Sequence, residues 1–212
     1  MSSPTPEKAQ TRADEEDHRP VEAAAPGTPP PPTPDVPAAP TIPILLHPDA
    51  RLRAKARAVG PGDEDRVRAL APRMLAAMYA APGIGLAAPQ VGEALRLVVV
   101  DLQPEDRPEP MVLVNPEVVA ASEARATREE GCLSLPGLYA DVERPAVVRV
   151  RWRDLDGARR EVEAEGLLAV CLQHEIDHLD GVLFTDRLSP LKRNMLLRRF
   201  AKDQKAKRER RD

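Results

Sequence analysis

The stretch Gly166-Leu167-Leu168-Ala169-Val170-Cys171-Leu172-Gln173-His174-Glu175-Ile176-Asp177-His178-Leu179 decides how the chain is read. Its first half, Leu167 to Leu172, is apolar on every side of a helix. A helix of that kind is normally buried. Its second half carries His174 and His178, which on a helix point the same way about one turn apart. That spacing lets both imidazoles bind one metal ion. Glu175 lies next to the first ligand, within reach of a metal-bound water but not obliged to ligate. This is the arrangement of a general base beside a Lewis acid. Unpaired polar groups at the end of an apolar helix are costly, and a cation relieves that cost. The plain alternative is two helix histidines with unrelated partners, which leaves the cost unmet.

Two histidines make an incomplete site. A catalytic zinc-type site has three protein ligands and one open position. No histidine follows His178, and Asp180 and Asp186 are too near in sequence to be comfortable ligands. Cys132, in Glu130-Gly131-Cys132-Leu133-Ser134, is the better candidate, since a metal-bound thiolate is soft and strongly held. A lone cysteine is otherwise a small core hydrophobe, and that reading fits Cys171 inside the apolar half of the helix.

Working outward, Val67, Leu70, Ala71, Met74, Leu75 and Met78 fall at helical spacing, so a helix is expected from Asp63 to Ala80, ended by Pro82 and Gly83. Strand-like runs follow at Leu95 to Asp101, Met111 to Asn115, Glu123 to Arg128, Ala146 to Asp154 and Ala158 to Glu165. Asp156-Gly157 is a hairpin signal between the last two. Ser189 and Pro190 open a third helix as N-cap and first helical residue, with Leu191, Met195, Leu196 and Phe200 expected to dock it. The fold class is therefore α+β: antiparallel β-sheets packed around a central helix that carries the metal motif, with a C-terminal helix. Residues 1–41 are rich in Pro and Ala, hold almost no large apolar side chains, and are expected to be a disordered tail. Residues 42–190 form the expected catalytic domain, and 191–212 a basic helix or tail.

At 212 residues the chain suits one well-buried domain. A net charge of -3 gives no global field toward nucleic acid, and 2% aromatics disfavours a base-stacking surface, so no sequence-specific nucleic-acid binding is expected. No apolar run is long enough to span a bilayer, and no secretory signal or acid-poor presequence precedes the domain. A reducing cytoplasm is the expected compartment, with Cys132 and Cys171 unpaired.

Three segments resemble the peptide deformylase family. They are Gly83-Ile84-Gly85-Leu86-Ala87-Ala88-Pro89-Gln90, Glu130-Gly131-Cys132-Leu133-Ser134 and Gln173-His174-Glu175-Ile176-Asp177-His178, in the family's order and with similar gaps. The likeness runs from about Ile44 to Asp186, and Leu45-Leu46-His47-Pro48-Asp49 resembles the family's usual opening segment. The resemblance implies that Cys132, His174 and His178 hold one divalent metal ion. It implies Fe2+ as the usual ion, with Zn2+ or Ni2+ able to substitute. Glu175 would be the proton shuttle. Gln90 and the backbone N–H of Leu133 would stabilise the oxyanion, and Ile84, Gly85 and Gly131 would bond the substrate like an added strand. The implied reaction removes the formyl group from the N-terminal formyl-methionine of new proteins and releases formate, with a metal-bound water as nucleophile. Implied partners are N-formyl-methionyl nascent peptides and, through the basic C-terminal helix, the ribosome. A generic metalloprotease and a ribosome-associated binding module with a vestigial site are the rival readings. The missing downstream ligand argues against the first, and the intact motif residues argue against the second.

Overall fold

Val67, Leu70, Ala71, Met74 and Met78 lie buried on one side of helix α1 (Glu64–Ala80), as their spacing requires. This is a computed structural model, and it describes residues 42–104 and 107–210. The expected N-terminal tail lies outside the described residues. After α1 the chain forms β1 (Gly85–Ala87), β2 (Leu97–Val100), β3 (Met111–Ala121), β4 (Arg125–Gly131), β5 (Tyr139–Pro145), β6 (Val147–Arg153) and β7 (Arg159–Glu165). Helix α2 (Gly166–Leu179) and helix α3 (Pro190–Glu209) follow. A five-stranded antiparallel sheet has the order β1-β2-β3-β6-β7, and β4 and β5 form a separate two-stranded ribbon.

Helices cover both faces of the sheet's β1–β2 edge. In β2 the alternation of side chains sends Leu97 and Val99 toward α1, while Val98 and Val100 meet Leu172 and Ile176 of α2 in the other core. That double cover explains why β2 is a continuous apolar run. A third core joins Leu138, Ala140 and Val142 of the ribbon region to Phe184 and to Phe200 of α3. The α+β expectation, with α2 at the centre, agrees with this architecture.

Several details differ from the sequence reading. β1 and β5 were not expected. The first has only three residues, and the second carries Asp141, Glu143 and Arg144 among its apolar positions. β3 continues past Asn115 despite Pro116, because the register shifts between Val114 and Glu117. Pro116 therefore sits in an irregularity that needs no ladder N–H. Asn115 takes a positive φ of 53° there, and its side chain exchanges two hydrogen bonds with the backbone of Val59, at 2.8 and 2.9 Å. β4 runs on to Gly131, directly before Cys132. On α3, Leu191 and Met195 face solvent, a correction to their expected docking. Leu196, Leu197 and Phe200 make that contact instead.

Met74 is fully buried between α1 and the sheet. Met74→Ala should cost about 2–5 kcal/mol of unfolding free energy, read from urea denaturation. A loss under about 1 kcal/mol would mean this core does not close as described.

Candidate metal centre

Helix α2 carries its motif into the interior. His174, Glu175, Asp177 and His178 are all buried, an unusual density of polar groups. Cys132 leaves the end of β4 and meets them, with its Sγ 3.2 Å from His178 Nε2. One donor atom each from Cys132, His174 and His178 lies within 4.8 Å of the others. Asp180 and Asp186 point elsewhere, to Arg96 at 2.8 Å and to Arg53.

The orientation of His174 is set from behind. Its Nδ1 donates to Glu130 Oε2 at 2.8 Å, which leaves Nε2 for the centre. Glu130 is held in turn by buried Arg144, whose Nε and Nη2 donate to its two oxygens at 2.5 and 3.0 Å. Arg144 Nη1 also reaches Asp177 at 2.8 Å, and Arg187 donates to the same Asp177 carboxylate at 2.7 and 2.5 Å. Sequence reasoning quoted Glu130 and Asp177 but gave them no role, and it missed Arg144. The available signal was the alternation of Ala140, Val142 and Arg144, which puts an arginine at an inward position of a strand.

The electrostatics favour a cation. Burial lowers the pKa of His174, yet the bonds to Cys132 and Glu130 outweigh it and hold the ring well above its ordinary value. A positive charge is thus stabilised at this point. Burial, with the charge of His174, pushes His178 well below its ordinary value, so it remains a neutral donor. Glu175 is raised to about 7, mainly by burial, and its Oε2 has no hydrogen-bond partner. One cysteine sulfur, two imidazoles and a nearby orphaned carboxylate oxygen fit a divalent transition-metal ion with an open position.

The other expected residues gather around the same cleft. Gln90 has its Oε1 fixed by the Ala87 N–H at 2.8 Å, and its Nε2 faces Ser134 Oγ at 3.2 Å and Cys132 Sγ at 3.7 Å. Ile84, Gly85, Gly131, Leu133, His174 and Glu175 all line a cavity of about 350 Å³. Gly85 is needed for close approach. A Cβ there would sit 2.6 Å from Glu175 Oε1 and 2.8 Å from Cys171 Sγ. Cys171 is buried as expected, but it also lines the cleft.

An antiparallel sheet around a helix, with one cysteine and two histidines gathered where an ion could be held, is the arrangement of a metallohydrolase class. Within that class, residues 41–194 match the polypeptide deformylase family. A peptide deformylase of Mesorhizobium japonicum is 56% identical over 164 residues, covering 77% of this chain and 93% of the relative. That of Brucella suis is 52% identical over 161 residues, covering 76% and 91%. A crystal structure of a peptide deformylase from Legionella pneumophila superposes with a TM-score of 0.73 at 47% identity, covering 79% of this chain and 97% of that one. The enzyme from Synechococcus elongatus, solved in complex with actinonin, gives 0.71 at 44% identity, covering 76% and 89%. The chain belongs to the polypeptide deformylase family. It is a hydrolase acting on formyl-methionine peptides, and the family uses one divalent metal.

Glu130→Gln should weaken Co2+ or Zn2+ binding about 10–100-fold, because His174 loses its charged anchor. Competition with a chromophoric chelator measures this. An unchanged affinity would mean that Glu130 does not orient the ligand.

Proposed function

We propose that this chain removes the formyl group from the N-terminal formyl-methionine of newly synthesised proteins and releases formate. The observation that carries the reading is the unpartnered Glu175 carboxylate beside the Cys132–His174–His178 cluster in one cleft. Cys132, His174 and His178 would hold the ion, which when bound supplies a Lewis acid and makes water easier to deprotonate. Glu175 takes a proton from the attacking water. The water oxygen bonds to the formyl carbon, and the C–N bond breaks. Glu175 passes its proton to the leaving amine. A carboxyl raised to about 7 is suited to both transfers near neutral pH. Charge develops on the formyl oxygen, where Gln90 Nε2 and the Leu133 N–H donate, each worth about 3 kcal/mol of barrier.

Binding follows from the strand edges. β1 is the edge of its sheet, so Gly85 and the N–H of Ile84, whose carbonyl is taken by the Asp101 N–H at 2.9 Å, would bond an extended peptide, and Gly131 would do the same from β4. We assign Fe2+ as the native ion, with Zn2+ or Ni2+ able to replace it, since the donor set accommodates all three. The cytoplasm is the compartment of this reading. Cys132 and Cys171 are both free thiols, and no described helix is long and apolar enough to cross a membrane.

Glu175→Gln should retain the metal yet lose most turnover, assayed as formate release from N-formyl-Met-Ala-Ser with anaerobically loaded protein. Near-normal turnover in that variant would overturn the mechanism.

The basic helix α3 is the element we assign to ribosome docking. It carries Lys192, Arg193, Arg198, Arg199, Lys202, Lys205 and Lys207, a charge that suits a phosphate-rich partner. Phe200 is buried in the third core, so a truncation after it spares the packed part of the helix. That truncation should weaken co-sedimentation with ribosomes and flatten its salt dependence. Binding that survives with the same salt slope would rule the tail out.

A further inference from the structure

The turn between α2 and α3, Phe184–Arg187, stands behind the metal centre. The Phe184 ring stacks on His174, with centroids 6.0 Å apart and planes 24° from parallel. Asp186 ties the turn down by accepting from the Leu183 N–H at 2.8 Å and pairing with Arg53. Arg187 is the outermost member, with its side chain 42% exposed. Ion pairs between two such exposed groups are worth little. The partner here is different, because Asp177 is buried and shared. Its Oδ2 accepts from Arg144 Nη1 and Arg187 Nε, whereas among the described residues its Oδ1 accepts from Arg187 Nη2 alone. Without Arg187 a buried carboxylate oxygen loses its donor. That loss is costly, and the nearest relief is for Asp177 to turn and draw Arg144 with it. The Arg144 guanidinium is a rigid planar fork. A rotation that favours Asp177 therefore spoils its two bonds to Glu130, the group that holds His174 Nδ1.

We propose that Arg187 is a positioning residue of the metal centre, acting through Asp177, Arg144 and Glu130 on the ring of His174. The proposal rests on the reading of Cys132, His174 and His178 as the metal ligands. Arg187 touches neither substrate nor ion. It fixes the far end of a chain of alternating charges whose near end aims a ligand. A purely through-space role has the opposite sign. Removing a cation leaves the cluster more negative, which tightens its hold on a metal ion. Loss of aim weakens that hold, so the direction of the change separates the two.

The test measures Co2+ affinity of the full chain by competition with a chromophoric chelator. It compares the unaltered protein with Arg187→Gln, Arg187→Lys, Glu130→Gln and the double variant Arg187→Gln with Glu130→Gln. A direct outer partner of a ligand is worth about 10–100-fold in affinity; Arg187 lies further back, so Arg187→Gln should weaken binding about 3–10-fold. Arg187→Lys keeps the charge but not the fork, and a smaller loss of about 2–5-fold is expected. With Glu130 already replaced, the Arg187→Gln change should alter affinity less than about twofold, because the chain it acts through is cut. Unchanged or tighter Co2+ binding in Arg187→Gln would overturn the proposal and leave the metal reading standing. So would an equal loss in the Glu130→Gln background, which marks a general loosening of the fold. If Arg187→Gln does not fold, Arg187→Lys decides, and an affinity equal to that of the unaltered protein overturns the proposal. Failure of the unaltered protein to bind Co2+ would remove the metal reading and this proposal with it.

Discussion

Arg144 is a guanidinium sealed inside the protein, and its bonds to Glu130 and Asp177 govern the geometry of everything around the centre. A buried charge costs several kcal/mol when left alone, and only close, well-directed partners offset it. Each partner lies on a different element. Arg144 belongs to β5, Glu130 to β4 and Asp177 to α2. The network therefore ties the ribbon to the central helix. Cys132 sits at the end of β4, and His174 and His178 lie on α2, so the same tie sets where the cysteine sulfur meets the imidazoles. Arg187 adds a second cation to Asp177, from the turn that leads into α3. Two arginines against two carboxylates keep the cluster near neutral. That is how so many ionisable groups coexist in a closed interior.

The remaining geometry is a matter of close approach. β2 is covered on both faces, so the sheet edge that lines the cleft is anchored by two cores at once. β1 is carried against α2 by that anchoring, and Gly85 permits a contact that any side chain would block. The same contact covers one side of the Glu175 carboxylate, which is buried although it lines the cleft. Its raised pKa follows from this burial and not from a special partner. Sheet packing and proton chemistry are thus two results of one arrangement.

Surfaces outside the centre divide by charge. The ribbon beside the cleft mouth is acidic, while α3 presents lysines and arginines beyond a buried Phe200. Leu191 and Met195 lie on the outer side of that helix, so apolar residues there do not all serve the core. Docking falls to Leu196, Leu197 and Phe200, which face the ribbon and the turn after α2.

Much of the chemistry was legible in the residues alone. The i, i+4 histidines follow from helix periodicity, the burial of α2 from an all-apolar half-helix, and the class of fold from the order of helical and alternating runs. These are local properties, set by backbone geometry within a few residues. β1 and β5 escaped notice because one is very short and the other is broken by charge; both depend on neighbours for their hydrogen bonds. Leu191 and Met195 were misplaced because periodicity defines a face but not which partner covers it. Arg144 and the role of Glu130 emerged only in three dimensions. The alternation of Ala140, Val142 and Arg144 marks an inward arginine, but not the two carboxylates, 14 and 33 residues away, that the fold brings into contact with it. Long-range electrostatic pairing leaves no local pattern, so only the tertiary structure could decide it.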